Sequence, residues 1–147
     1  MLQDRVKKTL NELLVDMFNH ILVLEERNLV ARGVILSMSE VHTLENIFKS
    51  ETKTMSDVAR RALVTQGTLT VAINRLVKKG YVARYKDEQD KRIVRLSLTQ
   101  RALELLKIHD DFHENMIDTM INDLKVDEDI NLIHSLEKLM AYFRQNY

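Results

Sequence analysis

Hydrophobic residues recur every three to four positions over most of this chain, which is the spacing of amphipathic helices. The first stretch of this kind covers about residues 2–29, and the sequence Ala31-Arg32-Gly33 is expected to end it. Three residues are suited to cap the helices that follow: Ser39, Thr54 and Thr65. The helix after Thr65 is expected to run to Lys79, where Gly80 stops it.

The hydrophobic period changes between residues 81 and 98. Apolar and polar residues alternate over residues 81–85 and 93–98, which is typical of two paired strands, and the charged residues 86–92 between them form a hairpin tip. Thr99 can cap a long helix, and a last helix is expected from about Asp127. The predicted order is α-α-α-α-β-β-α-α, a mainly α fold with a small β-hairpin.

Two short helices joined by a few residues and followed by a hairpin form the pattern of a winged helix-turn-helix, a DNA-binding unit. At about 100° per residue, Leu69, Ile73 and Leu76 of the second short helix cluster on one side and are expected to pack inward. The opposite side is small near its start and basic or amide-bearing further along: Gly67, Thr68, Thr70, Val71, Asn74, Arg75 and Lys78. Such a face suits approach to base edges, although an ordinary solvated helix can also carry it.

Charge is unevenly distributed although the chain of 147 residues has no net charge. Residues 52–99 contain eleven Lys/Arg and four Asp/Glu, a formal charge of +7, so the remainder carries −7. A basic face directed at phosphates explains this asymmetry, as does a solvated basic surface. The absence of cysteine excludes disulfide and thiolate chemistry. Without a membrane-spanning apolar run or a signal-peptide pattern, we expect a cytoplasmic protein and no membrane partner.

The hairpin tip contains a second candidate for DNA contact. Arg92 follows Asp90 by two residues, so both side chains can lie on one side of an extended strand. An aspartate placed there holds the guanidinium in position, and a prepositioned arginine fits a narrow, electronegative minor groove. The alternative is a surface ion pair worth about 0–1 kcal/mol.

Two runs, residues 74–82 (NRLVKKGYV) and 90–99 (DKRIVRLSLT), resemble the MarR family of transcriptional regulators. The aspartate-x-arginine pair before a strand that ends in leucine-threonine is the most specific part of the likeness, which covers essentially the whole chain. The resemblance implies a homodimer on a near-palindromic operator in double-stranded DNA, with a winged lobe at residues 37–99 and a helical dimerisation body at residues 1–36 and 100–147, all within one domain. The expected DNA-contacting residues are Gln66, Thr68, Thr70, Val71, Asn74, Arg75, Lys78, Asp90, Lys91 and Arg92.

Within that family the chain is most similar to the fatty-acid-synthesis repressors, through residues 22–29 (LVLEERNL), 40–44 (EVHTL), 67–70 (GTLT), 88–90 (EQD) and 112–113 (FH). The resemblance to this branch implies repression strengthened by an acyl chain presented on acyl carrier protein. A long acyl chain needs a dry, elongated cavity with an aliphatic and aromatic lining. Residues able to supply that lining, or simply to pack in the core, are Phe18, Ile21, Leu22, Leu44, Phe112 and Met116.

Histidines give an alternative signal. His109 and His113 share a helix face at i, i+4 spacing, and His42 lies on a helix able to pack nearby, with Glu25 or Glu26 as a carboxylate. This donor set suits zinc, and zinc-sensing members of the family use a similar one. Half-buried structural histidines are the more common explanation of such a pattern. We expect no resident cofactor or metal, and keep a zinc-responsive regulator as the alternative.

Enzymatic motifs do not appear in the sequence. It contains no glycine-rich phosphate loop, nucleophile elbow or cysteine nucleophile, so we expect no enzyme. A helical protein-interaction module without a DNA role is the remaining alternative.

Overall fold

The computed structural model describes all of residues 1–147. It contains seven α-helices and one two-stranded hairpin, which confirms the predicted fold class. In chain order the elements are α1 (Leu2–Asn11), a π-helical segment (Glu12–Met17), α2 (Phe18–Ala31), α3 (Met38–Lys49), α4 (Met55–Ala62), α5 (Gln66–Lys78), β1 (Val82–Lys86), β2 (Val94–Leu98), α6 (Gln100–Leu124), a 3-10 turn (Val126–Glu128) and α7 (Ile130–Asn146).

The first predicted helix forms as one helical run, in which the π-helical segment joins α1 to α2. It ends where the sequence predicted, because Gly33 adopts a left-handed φ of 77° and the Val34 amide donates to the Leu29 carbonyl at 3.0 Å. α1 buries no residue, whereas α2 buries Glu25 and Leu29.

Three of the predicted helix caps are confirmed. The hydroxyls of Thr54, Thr65 and Thr99 accept hydrogen bonds from the amides three residues on, at 3.3, 3.1 and 3.4 Å. The prediction for Ser39 is wrong: Ser37 caps α3, because Glu40 lies three residues after it and completes a reciprocal capping box.

The hydrophobic core lies where α2, α3, α4, α5 and the hairpin meet, with the start of α6 against it. Its largest fully buried side chains are Leu29, Leu44, Ile47, Leu69, Ile73, Leu76, Leu96, Val41 and Val58. Burying one leucine or isoleucine contributes about 1.5–3 kcal/mol, so this cluster fixes the orientation of α5.

The hairpin is antiparallel, with Val82 opposite Leu98 and Lys86 opposite Val94, and each strand end lies within one residue of the predicted bound. β1 packs against α5, and β2 lies against α3 and α4. Leu96 of β2 donates its amide to the Lys53 carbonyl at 2.8 Å. Lys53 has a left-handed φ of 55°, and its Nζ donates to the carbonyls of Ile47 and Ser50 at 2.9 and 3.0 Å.

The chain forms two compact units, Met1–His109 and Asp110–Tyr147. The second unit contains the later part of α6, the 3-10 turn and α7, which Asp129 caps through the Leu132 amide at 3.0 Å. The division into a DNA-binding lobe and a dimerisation body is a functional one and stays a prediction. Every helix is too short or too polar to cross a bilayer.

Candidate nucleic-acid interface

The helix α5 presents the face that the sequence predicted. Thr65 caps its first turn, and Leu69, Ile73 and Leu76 are buried at 1%, 0% and 0% exposure. Because these three residues fix the inward side, the opposite side is turned to solvent. All seven expected contact residues of this helix are exposed: Gln66, Thr68, Thr70, Val71, Asn74, Arg75 and Lys78.

Three of these side chains are already hydrogen-bonded within the protein, among them Thr68, whose hydroxyl oxygen accepts from the Thr65 hydroxyl at 3.0 Å. The Thr70 hydroxyl donates to the Gln66 carbonyl at 2.8 Å, so its oxygen stays available as an acceptor at the helix surface. Asn74 accepts a hydrogen bond from the guanidinium of Arg84 on β1. Arg75 and Lys78 make no salt bridge and extend the basic surface towards the end of α5.

Asp90 and Arg92 form the bidentate ion pair that the sequence predicted. Nε and Nη2 of Arg92 donate to the two carboxylate oxygens of Asp90, both at 3.0 Å, and the Arg92 amide adds a third bond at 3.1 Å. The Arg92 side chain is nevertheless 91% exposed. The hydrogen bond from Arg92 lowers the pKa of Asp90 and raises that of Arg92, so both groups are charged at neutral pH.

The local backbone of this pair differs from the prediction. Residues 90–93 form a turn closed by the Ile93 amide and the Asp90 carbonyl at 3.0 Å, not an extended strand. The aspartate accepts from the amide two residues on, as Asp does in turns, and this directs the carboxylate towards the arginine. The pair forms, therefore, through turn geometry instead of strand alternation.

A second aspartate shapes the rest of the hairpin tip. Asp87 accepts hydrogen bonds from the amides of Gln89 and Asp90 at 3.1 and 3.0 Å, and from Nε of Arg95 at 2.8 Å. The Arg95 hydrogen bond and those of the two amides lower the pKa of Asp87. The tip carrying Arg92 is therefore organised by bonds within the protein before any partner arrives.

The basic residues of segment 52–99 divide into two groups. Four are held by intramolecular contacts: Lys53 on the α3 carbonyls, Arg60 on Asp57, Lys79 on Glu40 and Arg95 on Asp87. The other seven side chains are exposed: Arg61, Arg75, Lys78, Arg84, Lys86, Lys91 and Arg92. Of these, Arg84 also donates to Asn74 and Arg92 also pairs with Asp90. Fewer positive charges are thus available than the sequence count implies. They lie on α4, α5 and the hairpin, and Arg75, Lys78, Lys91 and Arg92 among them are predicted contact residues.

Sequence reasoning missed Arg84. It lies two residues after Val82, so strand alternation places both on the face of β1 that covers α5. The alternation was visible in the sequence, but the pairing with Asn74 depends on how the hairpin packs.

The expected acyl-ligand residues are only partly brought together. Phe18 and Leu22 line a groove of about 380 Å³ with Val64 of the loop between α4 and α5 and with residues of α3, α4 and α5, including Met38, His42, Ala62, Thr68, Leu69 and Ala72. Ile21 is half-buried on α2, and Leu44 lies fully buried in the core because its position on α3 faces inward. Phe112 and Met116 belong to the second unit.

Two of the expected histidines meet at a carboxylate that the sequence pattern did not indicate. Nε2 of buried His109 lies 3.0 Å from Oε1 of Glu45, and the rings of His42 and His109 are 6.3 Å apart. One ligand atom each from His42, Glu45 and His109 lies within 4.8 Å of the others. Burial raises the pKa of Glu45, but the hydrogen bond and charge of His109, with His42 and Lys49, outweigh it and lower that pKa. His113 belongs to the second unit.

Comparison with known proteins identifies the class of regulator. The MarR family profile matches residues 36–94. The transcriptional regulator SarZ of Staphylococcus haemolyticus is 30% identical over 109 residues, covering 71% of this chain and 68% of that protein. A crystal structure of Streptococcus pneumoniae FabT in complex with DNA superposes with a TM-score of 0.85 at 34% identity, covering 96% of this chain and 99% of FabT. The fold is also that of Staphylococcus aureus MepR bound to DNA, at 21% identity and a TM-score of 0.66.

These relatives are transcriptional regulators and not enzymes, and neither an enzyme nor an interaction module without a DNA role remains as an alternative. With its buried inward face on α5, its exposed basic outward face and its winged hairpin, this chain belongs to the MarR family and is a DNA-binding transcriptional regulator.

Proposed function

We propose that this protein is a homodimeric, sequence-specific repressor that reads DNA with α5 in the major groove and Arg92 in the minor groove. The observation that carries the proposal is the bidentate Asp90–Arg92 pair on the exposed hairpin tip. A guanidinium that is already oriented loses little conformational freedom on binding, and a narrow minor groove attracts it electrostatically.

The exposed face of α5 supports the major-groove assignment. An α-helix fits that groove, and small residues near the helix start allow close approach of the backbone. A Cβ added at Gly67 would meet no atom nearer than 3.9 Å, so packing within the protein does not require glycine there. A glycine costs about 1 kcal/mol against alanine inside a helix, and close approach of DNA supplies a reason for it.

Exposed apolar surface supports dimerisation through a second copy of this chain. α7 buries no residue, and along α6 and α7 the exposed hydrophobic side chains are Leu103, Ile117, Met120, Leu124, Ile130, Leu132, Leu136, Met140, Tyr142 and Phe143. α1 likewise exposes Leu2, Val6 and Leu10. Apolar surface of this extent marks an interaction site in a water-soluble domain.

The ligand part of the proposal is an acyl chain presented on acyl carrier protein, controlling fatty-acid synthesis genes. It is supported by the motif resemblance to the fatty-acid-synthesis repressors and by the similarity to FabT along nearly the whole chain. The groove lined by Phe18 and Leu22 has a volume of about 380 Å³ and falls in the range of small-molecule sites, about 300–1,000 Å³. It reaches Thr68 on α5, so an occupant would contact the DNA-reading helix.

Selection of bound duplexes from a random pool, with and without long-chain acyl carrier protein, tests both parts. The expected result is a near-palindrome whose half-sites are about one DNA turn, ~34 Å, apart, with enrichment increased by the acylated carrier. The carrier without an acyl chain is the control. An unsymmetrical or absent consensus would contradict the proposed dimeric DNA recognition. Enrichment that does not change with acylated carrier would contradict only the proposed acyl ligand.

A second candidate is a zinc-responsive regulator, which the His42–Glu45–His109 cluster favours. Two imidazoles and a carboxylate are donors that zinc accepts, although Glu45 was not in the predicted set. Metal analysis of protein purified without chelator distinguishes the candidates. Stoichiometric zinc that is lost in both His42→Gln and His109→Gln would replace the acyl proposal, and protein free of tightly bound metal would remove the zinc one.

A further inference from the structure

One side-chain contact joins α5 directly to the hairpin. Nη2 of Arg84 donates to Oδ1 of Asn74, and both residues are exposed. Arg84 can reach α5 because it shares a strand face with buried Val82, and β1 packs against this helix. The contact therefore lies at the edge of the face assigned to base reading.

The contact fixes which way the Asn74 amide points. A guanidinium has five N–H donors and no acceptor, so only the carbonyl oxygen of the amide can face it. The amide nitrogen, with its two donors, is then directed away from Arg84. In this arrangement Asn74 presents donors to a partner, while its oxygen stays against a positive charge.

We propose that Arg84 is a specificity-determining positioning residue, which orients Asn74 to select guanine over adenine. The inference rests on the proposed function, since it needs α5 in the major groove. Asparagine usually pairs with adenine by accepting from N6 and donating to N7. Here the oxygen is engaged and the nearby guanidinium repels the N6 amino group, whereas O6 and N7 of guanine both accept hydrogen bonds.

The test compares base preferences in three variants against the wild-type chain, by sequencing duplexes selected from a random pool. Asn74→Ala identifies the operator position that depends on this residue. Arg84→Met removes the donor at similar length. Lys86→Met is the control for lost charge alone: it removes a positive charge from the same face of β1 and is expected to weaken binding to every sequence alike. Because Lys86 makes no hydrogen bond to Asn74, the base preference should not change.

The expected result is guanine at the Asn74-dependent position in the wild type and in Lys86→Met. In Arg84→Met the ratio of guanine to adenine should fall by about fivefold or more, the lower end of what one bidentate base contact supplies. In the double variant of Asn74→Ala and Arg84→Met, the base preference should equal that of Asn74→Ala alone.

Three results would overturn the inference while leaving the proposed function intact: adenine at that position in the wild type, an unchanged ratio in Arg84→Met, or additive effects in the double variant. Failure of the wild-type chain to enrich any sequence would overturn the proposed function and this inference together.

Discussion

Replacing Arg92 with alanine should weaken operator binding and reduce its dependence on salt. The side chain is 91% exposed and is held by Asp90 alone, so its removal leaves the core unchanged. The variant should therefore fold as the wild type does, and the change in binding should report directly on the hairpin tip.

The size of the effect follows from the number of hairpins that touch DNA. Each phosphate neutralised by a cation contributes about 0.9 to the slope of log affinity against log salt, so two arginines in a dimer contribute roughly 1.8. Between 50 and 200 mM salt, a slope difference of ~1.8 changes the affinity ratio of wild type to variant by roughly twelvefold. The loss of affinity in the variant is therefore larger at low salt. If only a monomer bound DNA, the substitution would reduce the slope by only about 0.9.

Fluorescence anisotropy with a labelled operator at four or five salt concentrations measures both quantities. Lys138→Ala is the control, because it removes one exposed positive charge from α7, outside the proposed contact surface. Equal affinity and equal slope for Arg92→Ala and the wild type would refute the assignment of Arg92 to the groove. An equal loss in Lys138→Ala would show that net charge, not the hairpin tip, determines the slope.

Three further predictions concern stability and pH. Ile73→Ala should lower the free energy of unfolding by about 2–5 kcal/mol through a buried cavity, and a loss below about 1 kcal/mol in urea denaturation would contradict the core assignment. Gly80→Ala should lower the free energy of unfolding by about 1–2 kcal/mol in the same assay, because an alanine is strained at the left-handed φ of 84°. There is room for the added Cβ, whose nearest atom, on Arg101, is 3.8 Å away, so an unchanged denaturation midpoint would count against this backbone strain. The folded-state pKa of Asp87 lies below its unfolded value, so its stabilising bond to Arg95 is fully present above the unfolded pKa and is lost as pH falls through the folded one. Carboxyl carbon NMR should show an acidic midpoint for Asp87 that returns towards the ordinary value in Arg95→Met, and identical midpoints would refute that cause.

Local features of the fold were predictable because neighbouring residues determine them. The inward face of α5 follows from helical spacing, and the caps at Thr54, Thr65 and Thr99 follow from their own hydroxyls. The error at Ser39 was avoidable, since Glu40 three residues after Ser37 was visible in the sequence.

Features that depend on tertiary packing were not predictable from spacing. Nothing in the sequence pattern places Arg84 on Asn74, or His109 on Glu45, because each pair joins elements whose packing the spacing does not specify. The count of basic residues misled for the same reason, because Lys53 and Lys79 are engaged by other groups of the protein, the α3 carbonyls and Glu40. The sequence therefore predicted the helix face and hairpin tip of the proposed contact surface, but packing determines which of their charges are available.

The left-handed residue Lys53 has a mechanical consequence. Its ammonium ties down the last turn of α3, its carbonyl anchors the middle of β2, and α4 begins two residues later. One residue thus bonds to both α3 and β2 immediately before α4 begins, so we expect these three elements to move together. In the proposed dimer, we therefore expect an inducer or co-repressor to alter the distance between the two winged lobes and to leave the shape of each lobe unchanged.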